Sequence, residues 1–578
     1  MNRISVDRAG RRPYLLSGTI ALATAVALWV NLGWAPHRIR LLLAGLLLGL
    51  ALFSAWRWRL TNRGLFLVEA LLGSVASSVL LFGAGLPLEA HRWVIGLAWI
   101  GLGVAELVAR NADPTALLTP WTSGWTVFAG VVVVTFPGIL SVQFTAVSAA
   151  WAALLGVLLL VQAIRAGRPD SRNRRQGPVW TTLRIALPGA VLLTAAWGYS
   201  QVVANTAAAD DKHRILAPFY EVPDDLAPGE AGSLIRYEEV HLPDLEGQAY
   251  RVLFRSDDAF ERPTASSGLI FVPEGDATDR PVVAWAHGTV GLGEACAPSR
   301  FDEFLTVTNW IGDALAAGYV VTAPDYAGAG GTGEGEKYMV LSEQGRDLLH
   351  AVRAAIQLPG SGAGNRFVTY GESQGGAVSI AAGALSQTVA PELELVGVGA
   401  VAAASDLATT LSEKWESPLA TWLLGPHLLR SYTRYYPNLR VDEILTEGAR
   451  NHYLEIADRS CVFDPLGVLL NPRIGRFLTG DPLDDPDWRE ALIANRAPDI
   501  PEGVPLFAAH GRDDPLIDPS ITAHLAERQC GKGIAVTVHW MEGVEHIGSA
   551  NVAAPAFLDW ATALFTGSAA HSDCNGPT

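Results

Sequence analysis

Lysine is absent from the first 207 residues of this 578-residue chain, although arginine is common there. Residues 1–207 hold 17 Arg and 6 acidic residues, a net charge of +11, whereas the remainder holds 25 basic and 52 acidic residues, a net charge of −27. The acidic second part argues against nucleic acid as a partner, because phosphate binding requires Lys and Arg. Composition therefore divides the chain near residue 207 into two parts of different kinds.

Cysteine is also scarce, and the few that occur are confined to the second part of the chain. They are Cys296, Cys461, Cys530 and Cys574. None has metal-ligand spacing such as CxxC, so no metal site is predicted from them. Two disulfides are expected if this part lies in an oxidising compartment, and buried free thiols are the alternative.

Long apolar runs, in contrast, fill the first part of the chain. A bilayer core requires about 20 apolar residues for each helical span. Seven blocks of this kind lie at 14–34, 39–56, 65–86, 93–109, 121–140, 144–164 and 181–203. They predict an all-α transmembrane bundle of about seven spans over residues 1–203.

Arginines between the apolar blocks predict the orientation of that bundle, because basic loops face the cytoplasm. Thirteen Arg lie on the side of the N-terminal leader and three on the other side. The N-terminus is therefore expected in the cytoplasm. With seven spans, the second part would emerge outside a multi-pass protein of the cell membrane.

Two Gly-bearing segments within 126–165, TVFAGVVVVTFPGIL and WAALLGVLLLVQAIR, add to this prediction. Over about 150 residues the pattern resembles the small six-span acid-resistance membrane proteins of the HdeD type. Glu69 and Glu106 fall within predicted spans, where a carboxylate marks a functional site. The alternative is that both are interfacial charges.

Short apolar runs alternate with helical patterns in the second part, after a polar linker at 204–235. Strands are expected at 267–273, 281–286, 318–323, 366–370, 394–400, 504–509 and 534–540, and helices at 304–317, 342–357, 375–387, 519–528 and 553–565. The alternation predicts a parallel sheet covered on both faces, over 236–566, before a short tail at 567–578. The interval 405–500, which has no clear strand, is interpreted as a helical cap.

The first motif that carries chemistry is RFVTY-GESQGG-AVSIAAGAL. An apolar strand runs into Gly371 and Ser373, and an Ala/Gly-rich helix follows. Such a sharp strand–turn–helix presents the serine hydroxyl at the helix N-terminus, which favours negative charge. Ser373 is the predicted nucleophile.

Two further motifs predict its partners. Asp514 follows a strand in VPLFAAHGRDDPLID, and His546 follows the last strand in VTVHWMEGVEHIGSAN. The imidazole can take the proton from Ser373, and the carboxylate can fix the tautomer of the imidazole. Asp513 and Asp518 compete with Asp514 for this role, or these acids only cap the next helix. The chain order Ser, Asp, His is that of α/β-hydrolases.

Acyl transfer also requires N–H donors for the tetrahedral oxyanion. The backbone N–H of Gln374, next to the nucleophile, is expected to be one of them. The second is assigned to Thr289, in the segment PVVAWAHGTVG that follows an early strand. The alternative is that His287-Gly288 is simply a turn.

Four segments together, AWAHGTVGLGEACAPS, TAPDYAGAGG, YGESQGG and HGRDDPLID, resemble the secretory lipase family of fungal lipase A-type enzymes and actinobacterial lipases, over about residues 215–566. The resemblance implies an α/β-hydrolase core with a helical cap and a triad at Ser373, Asp514 and His546. It also implies that Asp325 and Tyr326 form a structural loop beside the oxyanion hole. The disulfides that it implies are Cys296–Cys461 and Cys530–Cys574.

The expected function is therefore that of a membrane-anchored, extracytoplasmic serine lipase or esterase. It would act on an ester or lipid substrate through an acyl-enzyme and require no metal or organic cofactor. The alternative enzyme is an acyltransferase acting on envelope lipids or glycans. The alternative of another class is a non-catalytic membrane stress or sensor protein whose outer domain binds lipid.

Overall fold

The computed structural model describes residues 15–27, 36–61, 64–82, 88–110, 120–135, 152–153, 156, 160, 214–223, 229–242, 245–300, 308–333, 335–459, 461–462 and 476–574. The chain divides near residue 211 into two compact units. The first unit is helical, and the second is built on a β-sheet.

The helices of the first unit pack on one another. They are α1 (15–27), α2 (Pro36–Thr61), α3 (Gly64–Phe82), α4 (Leu88–Arg110) and α5 (Pro120–Thr135). Their shared core includes Leu47, Leu80 and Trp99. Helices α4 and α5 approach closely at glycines, because a Cβ added to Gly130 would lie 2.6 Å from the carbonyl oxygen of Gly96. The apolar runs of this unit therefore supply a helix-on-helix core.

The predicted bundle of seven transmembrane spans is wrong. Among the described residues, no helix has both the length and the apolar character that crossing a bilayer requires. The apolar blocks at 39–56, 65–86, 93–109 and 121–140 do correspond to helices, but a helix that is apolar all round also suits a packed core. The HdeD-type resemblance and the orientation derived from the arginines depended on the spans, and they fall with them. The block at 181–203 lies outside the described residues.

The carboxylates singled out in the first unit are both buried. Glu69 is 1% exposed and accepts a hydrogen bond from the hydroxyl of Ser54 at 2.8 Å, and Glu106 is 3% exposed. Both therefore lie inside the helical unit and are not interfacial.

The sheet of the second unit has nine strands among the described residues, in the order β1-β2-β3-β5-β4-β6-β7-β8-β9. The strands are β1 (Leu234–Val240), β2 (Gln248–Asp257), β3 (Pro263–Val272), β4 (Arg280–Ala286), β5 (Val320–Pro324), β6 (Ala363–Glu372), β7 (Glu394–Val401), β8 (Leu506–Gly511) and β9 (Val536–Met541). From β5 through β4 to β9 neighbouring strands are parallel, whereas β1, β2 and β3 are antiparallel to their neighbours. Each of the seven predicted strands overlaps one of β3 to β9, so the predicted parallel sheet is confirmed for six of them, whereas β3 is antiparallel.

Helices alternate with the parallel strands, as the pattern predicts, and further helices precede the sheet or lie in the interval 405–500. They are α6 (214–220), α7 (Trp310–Ala316), α8 (Leu341–Gln357), α9 (Gln374–Val389), α10 (Leu407–Lys414), α11 (Pro418–Tyr435), α12 (Val441–Ile444), α13 (Glu447–Arg459), α14 (Pro486–Ala494), α15 (Pro519–Gly531) and α16 (Ser549–Phe565). On one face the core includes Trp285, Tyr370 and Phe557, and the last two rings stack with centroids 4.0 Å apart. Because β6, β8 and β9 are parallel, the loops after them meet at one edge of the sheet.

The interval 405–500 is helical where it is described, with α10 to α14 and one isolated bridge between Leu445 and Leu478. Trp422 on α11 is 1% exposed, and its ring packs 4.9 Å from that of Phe477. This tryptophan therefore stabilises the interior of the helical segment.

Two disulfides bind distant parts of the second unit together. Cys296 pairs with Cys461 across 165 residues, and Cys530 pairs with Cys574. These are the pairs that the resemblance implies, and the described residues hold no free cysteine. The first pair connects the loop after β4 to the helical interval 405–500, at a position just after α13.

Candidate active site

Ser373 occupies the sharp turn between β6 and α9. Its backbone has φ 58° and ψ −119°, a left-handed conformation that is costly for a residue other than glycine. The turn leaves no room for side chains at its glycines, since a Cβ on Gly375 would lie 1.9 Å from the carbonyl oxygen of Ala286. The strained turn holds the serine hydroxyl at the N-terminus of the helix, as the motif predicts.

His546 lies between Ser373 and Asp514. Its Nε2 is 2.9 Å from the Oγ of Ser373, and its Nδ1 is 2.6 Å from Oδ2 of Asp514. The histidine and the aspartate are both 8% exposed. The structure thus brings together the three side chains predicted to act in sequence, although they come from three separate loops.

Asp514 is also held by groups outside the histidine. Its Oδ1 accepts the backbone N–H groups of Leu516 at 2.8 Å and Ile517 at 3.0 Å. Burial alone would raise the pKa of this carboxyl, but hydrogen bonds from His510 and His546 hold the pKa well below its usual value. Asp514 therefore stays ionised next to the imidazole.

The two acids that competed with Asp514 take other positions. Asp513 is exposed, and Asp518 is the N-cap of α15, where it accepts the N–H of Ser520 at 2.9 Å. The capping role belongs to Asp518, and Asp514 alone of the three contacts His546.

The sequence reasoning missed the role of His510. This buried residue at the end of β8 has Nε2 at 3.1 Å from Oδ2 of Asp514 and Nδ1 at 2.6 Å from the hydroxyl of Thr522. His510 therefore contacts the same carboxylate oxygen as His546. Its place in an apolar strand gave no sign of this contact.

Glu372, the residue before Ser373, connects the turn between β6 and α9 to the segment that follows His546. Its Oε1 accepts the hydroxyl of Ser549 at 2.8 Å, at the start of α16, and burial raises its pKa. The same contact therefore holds the segment that carries His546 against the end of β6.

The segment expected to supply an oxyanion donor lies beside Ser373. A Cβ on Gly288 would be 3.7 Å from the Cβ of Ser373. The hydroxyl of Thr289 lies 2.8 Å from that of Tyr338, and the side chain of Gln374 donates to Glu336 at 2.9 Å. Thr289 follows Gly288 and Gln374 follows Ser373 in the chain, and the side chain of each is held by a hydrogen bond with a neighbour.

The loop that contains Asp325 and Tyr326 contacts the segment of His287, Gly288 and Thr289. Asp325 is buried and accepts the hydroxyl of Ser267 at 2.6 Å and the N–H of Ser299 at 2.8 Å. The hydroxyl of Tyr326 donates to the carbonyl oxygen of His287 at 3.1 Å. This fixes the backbone immediately before Gly288 and Thr289.

A mostly parallel sheet with a serine at a strand–helix elbow, followed along the chain by an aspartate and a histidine after later strands, defines the α/β-hydrolase class. Residues 304–573 match the family model described as secretory lipase. A secreted triacylglycerol lipase of Malassezia globosa is 26% identical over 351 residues, which cover 55% of this chain and 74% of that protein. A probable inactive lipase of Mycobacterium tuberculosis is 25% identical over 373 residues, which cover 61% of this chain and 82% of that protein.

The solved structure of Candida antarctica lipase A shares the fold, with a TM-score of 0.54 and 18% sequence identity over 62% of this chain and 88% of that one. The family match and the relatives named as lipases make the protein a carboxylic ester hydrolase. The predicted location as a multi-pass protein of the cell membrane is wrong. Relatives are named as secreted, and within the described ranges no helix meets the requirements of a membrane span.

Proposed function

We propose that this protein hydrolyses carboxylic esters of lipids through an acyl-enzyme on Ser373. The observation that carries the proposal is the position of His546, whose two ring nitrogens lie within hydrogen-bonding distance of Ser373 and Asp514 at once. An imidazole in this position can accept a proton at Nε2 while Nδ1–H donates to a carboxylate. Asp514, held ionised, stabilises the imidazolium that results.

In the first half of the reaction, the Oγ of Ser373 attacks the carbonyl carbon of the ester while its proton passes to Nε2 of His546. The carbonyl oxygen becomes an oxyanion, which accepts hydrogen bonds from the backbone N–H groups of Gln374 and Thr289. The C–O bond to the alcohol then breaks, and His546 returns the proton to the leaving oxygen. The product of this half is a free alcohol and an acyl-serine.

In the second half, His546 takes a proton from a water molecule, and the hydroxide attacks the acyl carbon. The bond to Ser373 breaks as the imidazolium returns the proton to Oγ. The carboxylic acid leaves, and the enzyme is restored. Every proton is carried by this chain's own residues, so the scheme has no step for a metal or an organic cofactor.

Triacylglycerols are the substrate class that the relatives favour, because several of them are named as triacylglycerol lipases. We propose that the helical interval 405–500 acts as the cap over the acyl chain. The tie between Cys296 and Cys461, which connects this interval to the loop after β4, supports the proposal. The two disulfides and the relatives named as secreted also support action in an oxidising compartment.

The test compares Ser373→Ala with wild type on p-nitrophenyl butyrate and on tributyrin, with released acid titrated directly. Loss of a catalytic serine typically costs a factor of about 10⁶ in kcat. Ser386→Ala is the matched control, because Ser386 lies on the same helix α9 and only bonds the carbonyl of Gly383. We expect this control to keep wild-type activity.

A fluorophosphonate probe separates an enzyme from a non-catalytic protein, since labelling requires an activated serine. Wild type and Ser386→Ala should be labelled, and Ser373→Ala should not. A Ser373→Ala variant that hydrolyses either ester at the wild-type rate would rule out the proposed nucleophile. An unlabelled and inactive wild type would instead favour a non-catalytic role like that of the mycobacterial relative.

A further inference from the structure

One short segment, Glu336 to Tyr338, contacts both residues proposed to bind the oxyanion. Oε1 of Glu336 accepts the side-chain amide of Gln374 at 2.9 Å, and the hydroxyl of Tyr338 lies 2.8 Å from that of Thr289. Glu336 is 3% exposed and Tyr338 is 4% exposed. The two buried side chains therefore each contact the side chain of one of the two residues proposed to bind the oxyanion.

We propose that Glu336 and Tyr338 are positioning residues that fix the separation of the Gln374 and Thr289 N–H groups. The inference rests on the proposed function, because it takes these two residues as the donors to the oxyanion. Donors act only within about 3 Å of the oxyanion, and a misplacement of about 1 Å can cost a factor of about 100 in rate. Two backbones from separate elements, the loop after β4 and the start of α9, require such a connection.

The hydrogen bonds around Glu336 indicate that its carboxyl positions other side chains in addition to filling space. A buried carboxyl is costly unless its oxygens are hydrogen-bonded. Here a second amide, that of Gln344 on α8, also donates to Oε1 at 2.7 Å. Glu336 thus connects the first turn of α9 to α8 through one oxygen atom, and an apolar side chain of the same size would break both contacts.

Tyr338 also lies next to helix α11 of the helical interval 405–500. Its ring lies 6.4 Å from the ring of His427 on α11, and the hydroxyl of Tyr432 on that helix donates to the carbonyl of Met339 at 3.2 Å. Helix α11 therefore contacts both the ring of Tyr338 and the carbonyl of the next residue, which helps to fix the position of the hydroxyl that contacts Thr289.

The charge state of Glu336 also affects the site. Burial raises its pKa to about 8, and the nearby carboxyls of Asp347 on α8 and Asp325 after β5 act in the same direction. The titratable groups that also face it are Tyr326 and Tyr338. At neutral pH the side chain is therefore uncharged, and its ionisation at higher pH would place a negative charge close to the developing oxyanion.

Glu336→Ala and Glu336→Gln separate positioning from packing. Alanine removes the acceptor of both amides, and we expect kcat on p-nitrophenyl butyrate at pH 7 to fall about 10-fold to 100-fold with KM changed less than about 2-fold. Glutamine keeps an uncharged acceptor of the same shape, and we expect kcat within about 3-fold of wild type. Tyr338→Phe, which removes only the hydroxyl, should lower kcat about 10-fold.

The matched control is Glu343→Gln. Glu343 is a second buried carboxyl of this region, whose Oε1 accepts the N–H of Ala259 at 3.2 Å, and neither Gln374 nor Thr289 contacts it. We expect its kcat to equal that of wild type. Labelling by the fluorophosphonate probe counts the folded, reactive fraction of each variant, so that kcat refers to competent enzyme only.

The pH profile supplies a second measurement, which a purely structural role would not change. In wild type, kcat should fall above about pH 8, whereas Glu336→Gln should stay level there. The inference is overturned if Glu336→Ala keeps the wild-type kcat, or if the glutamine variant shows the same fall above pH 8. If Glu336→Ala does not fold, the glutamine variant and its pH profile still decide. A wild type that the probe does not label at Ser373 would contradict the proposed function instead.

Discussion

The two units of this chain differ in how much of their structure can be predicted from short sequence motifs. In the second unit, chemistry requires particular side chains at fixed separations, so segments such as GESQGG identify individual residues that meet in space. In the first unit, long apolar runs specify helices but not what surrounds them. Leu47 and Trp99 belong to a core formed by neighbouring helices, and hydropathy alone gives the same pattern for a bilayer span. Motifs therefore predict which residues lie together, whereas hydropathy predicts only that a segment is helical and buried.

After Ser373→Ala, the largest effect is expected from Asp514→Asn, which tests a residue identified from a motif of the second unit. Asparagine keeps the shape of the side chain but favours the wrong tautomer of His546, so we expect kcat to fall about 10⁴-fold with the fold intact. The measurement is kcat on p-nitrophenyl butyrate together with the rate of fluorophosphonate labelling.

Asp518→Asn is the control for that substitution. Asp518 lies in the same loop but caps α15, and asparagine is an equally good cap, so both activity and stability should change little. A larger loss of kcat in Asp518→Asn than in Asp514→Asn would show that the wrong aspartate has been assigned.

The proximity of Ser373, Asp514 and His546 could be predicted because each follows a strand in a short motif, and parallel strands bring their ends to one edge of the sheet. Strands β1 and β2 were not predicted, because charged residues interrupt their apolar pattern, as in LIRYEEV. Glu336 was also missed. Its surroundings in GEGEKYM look like a polar surface loop, and only the tertiary contact with Gln374 shows that it is buried.

Removal of the Cys296–Cys461 disulfide should have the next largest effect and should be confined to the second unit. A bond that closes 165 residues stabilises by about 5 kcal/mol in the chain-entropy model. We therefore expect Cys296→Ser/Cys461→Ser to lower the stability of the sheet unit by about that amount. Hydrogen exchange followed by mass spectrometry, at peptides of α2 to α5 and of β3 to β9, measures each unit separately. Faster exchange in α2 to α5 alone would contradict the prediction.

Leu47→Ala tests the helical first unit, where we expect a smaller loss of stability. Leu47 is 1% exposed in the core of the helical unit, and a Leu→Ala change in a core typically costs about 3 kcal/mol. We expect faster hydrogen exchange in α2 to α5 and an unchanged kcat on p-nitrophenyl butyrate. Leu52→Ala, at a position that is 64% exposed on the same helix, should cost less than about 0.5 kcal/mol. Equal effects of the two changes would mean that the exposed face of α2 is as closely packed as its core.

The smallest expected effect is a dependence of stability on pH in the sheet unit. Glu336 has a folded pKa of about 8, above its usual 4.5, so the folded state binds a proton more tightly than the unfolded state. Its stabilising contribution is complete below about pH 4.5 and is lost as pH rises towards 8. Between pH 6 and pH 7, wild type should lose about 1 kcal/mol more than Glu336→Gln, as measured by urea unfolding.

Asp514 cannot produce that slope, because its lowered pKa leaves it ionised in both states over this range, and its contribution is lost only in acid. Glu394→Gln, at the exposed start of β7, is the control and should follow wild type. If Glu336→Gln instead keeps the wild-type slope, the titrating group in this unit is another buried carboxyl. Asp347, whose pKa burial raises to about 7, is then the first to replace.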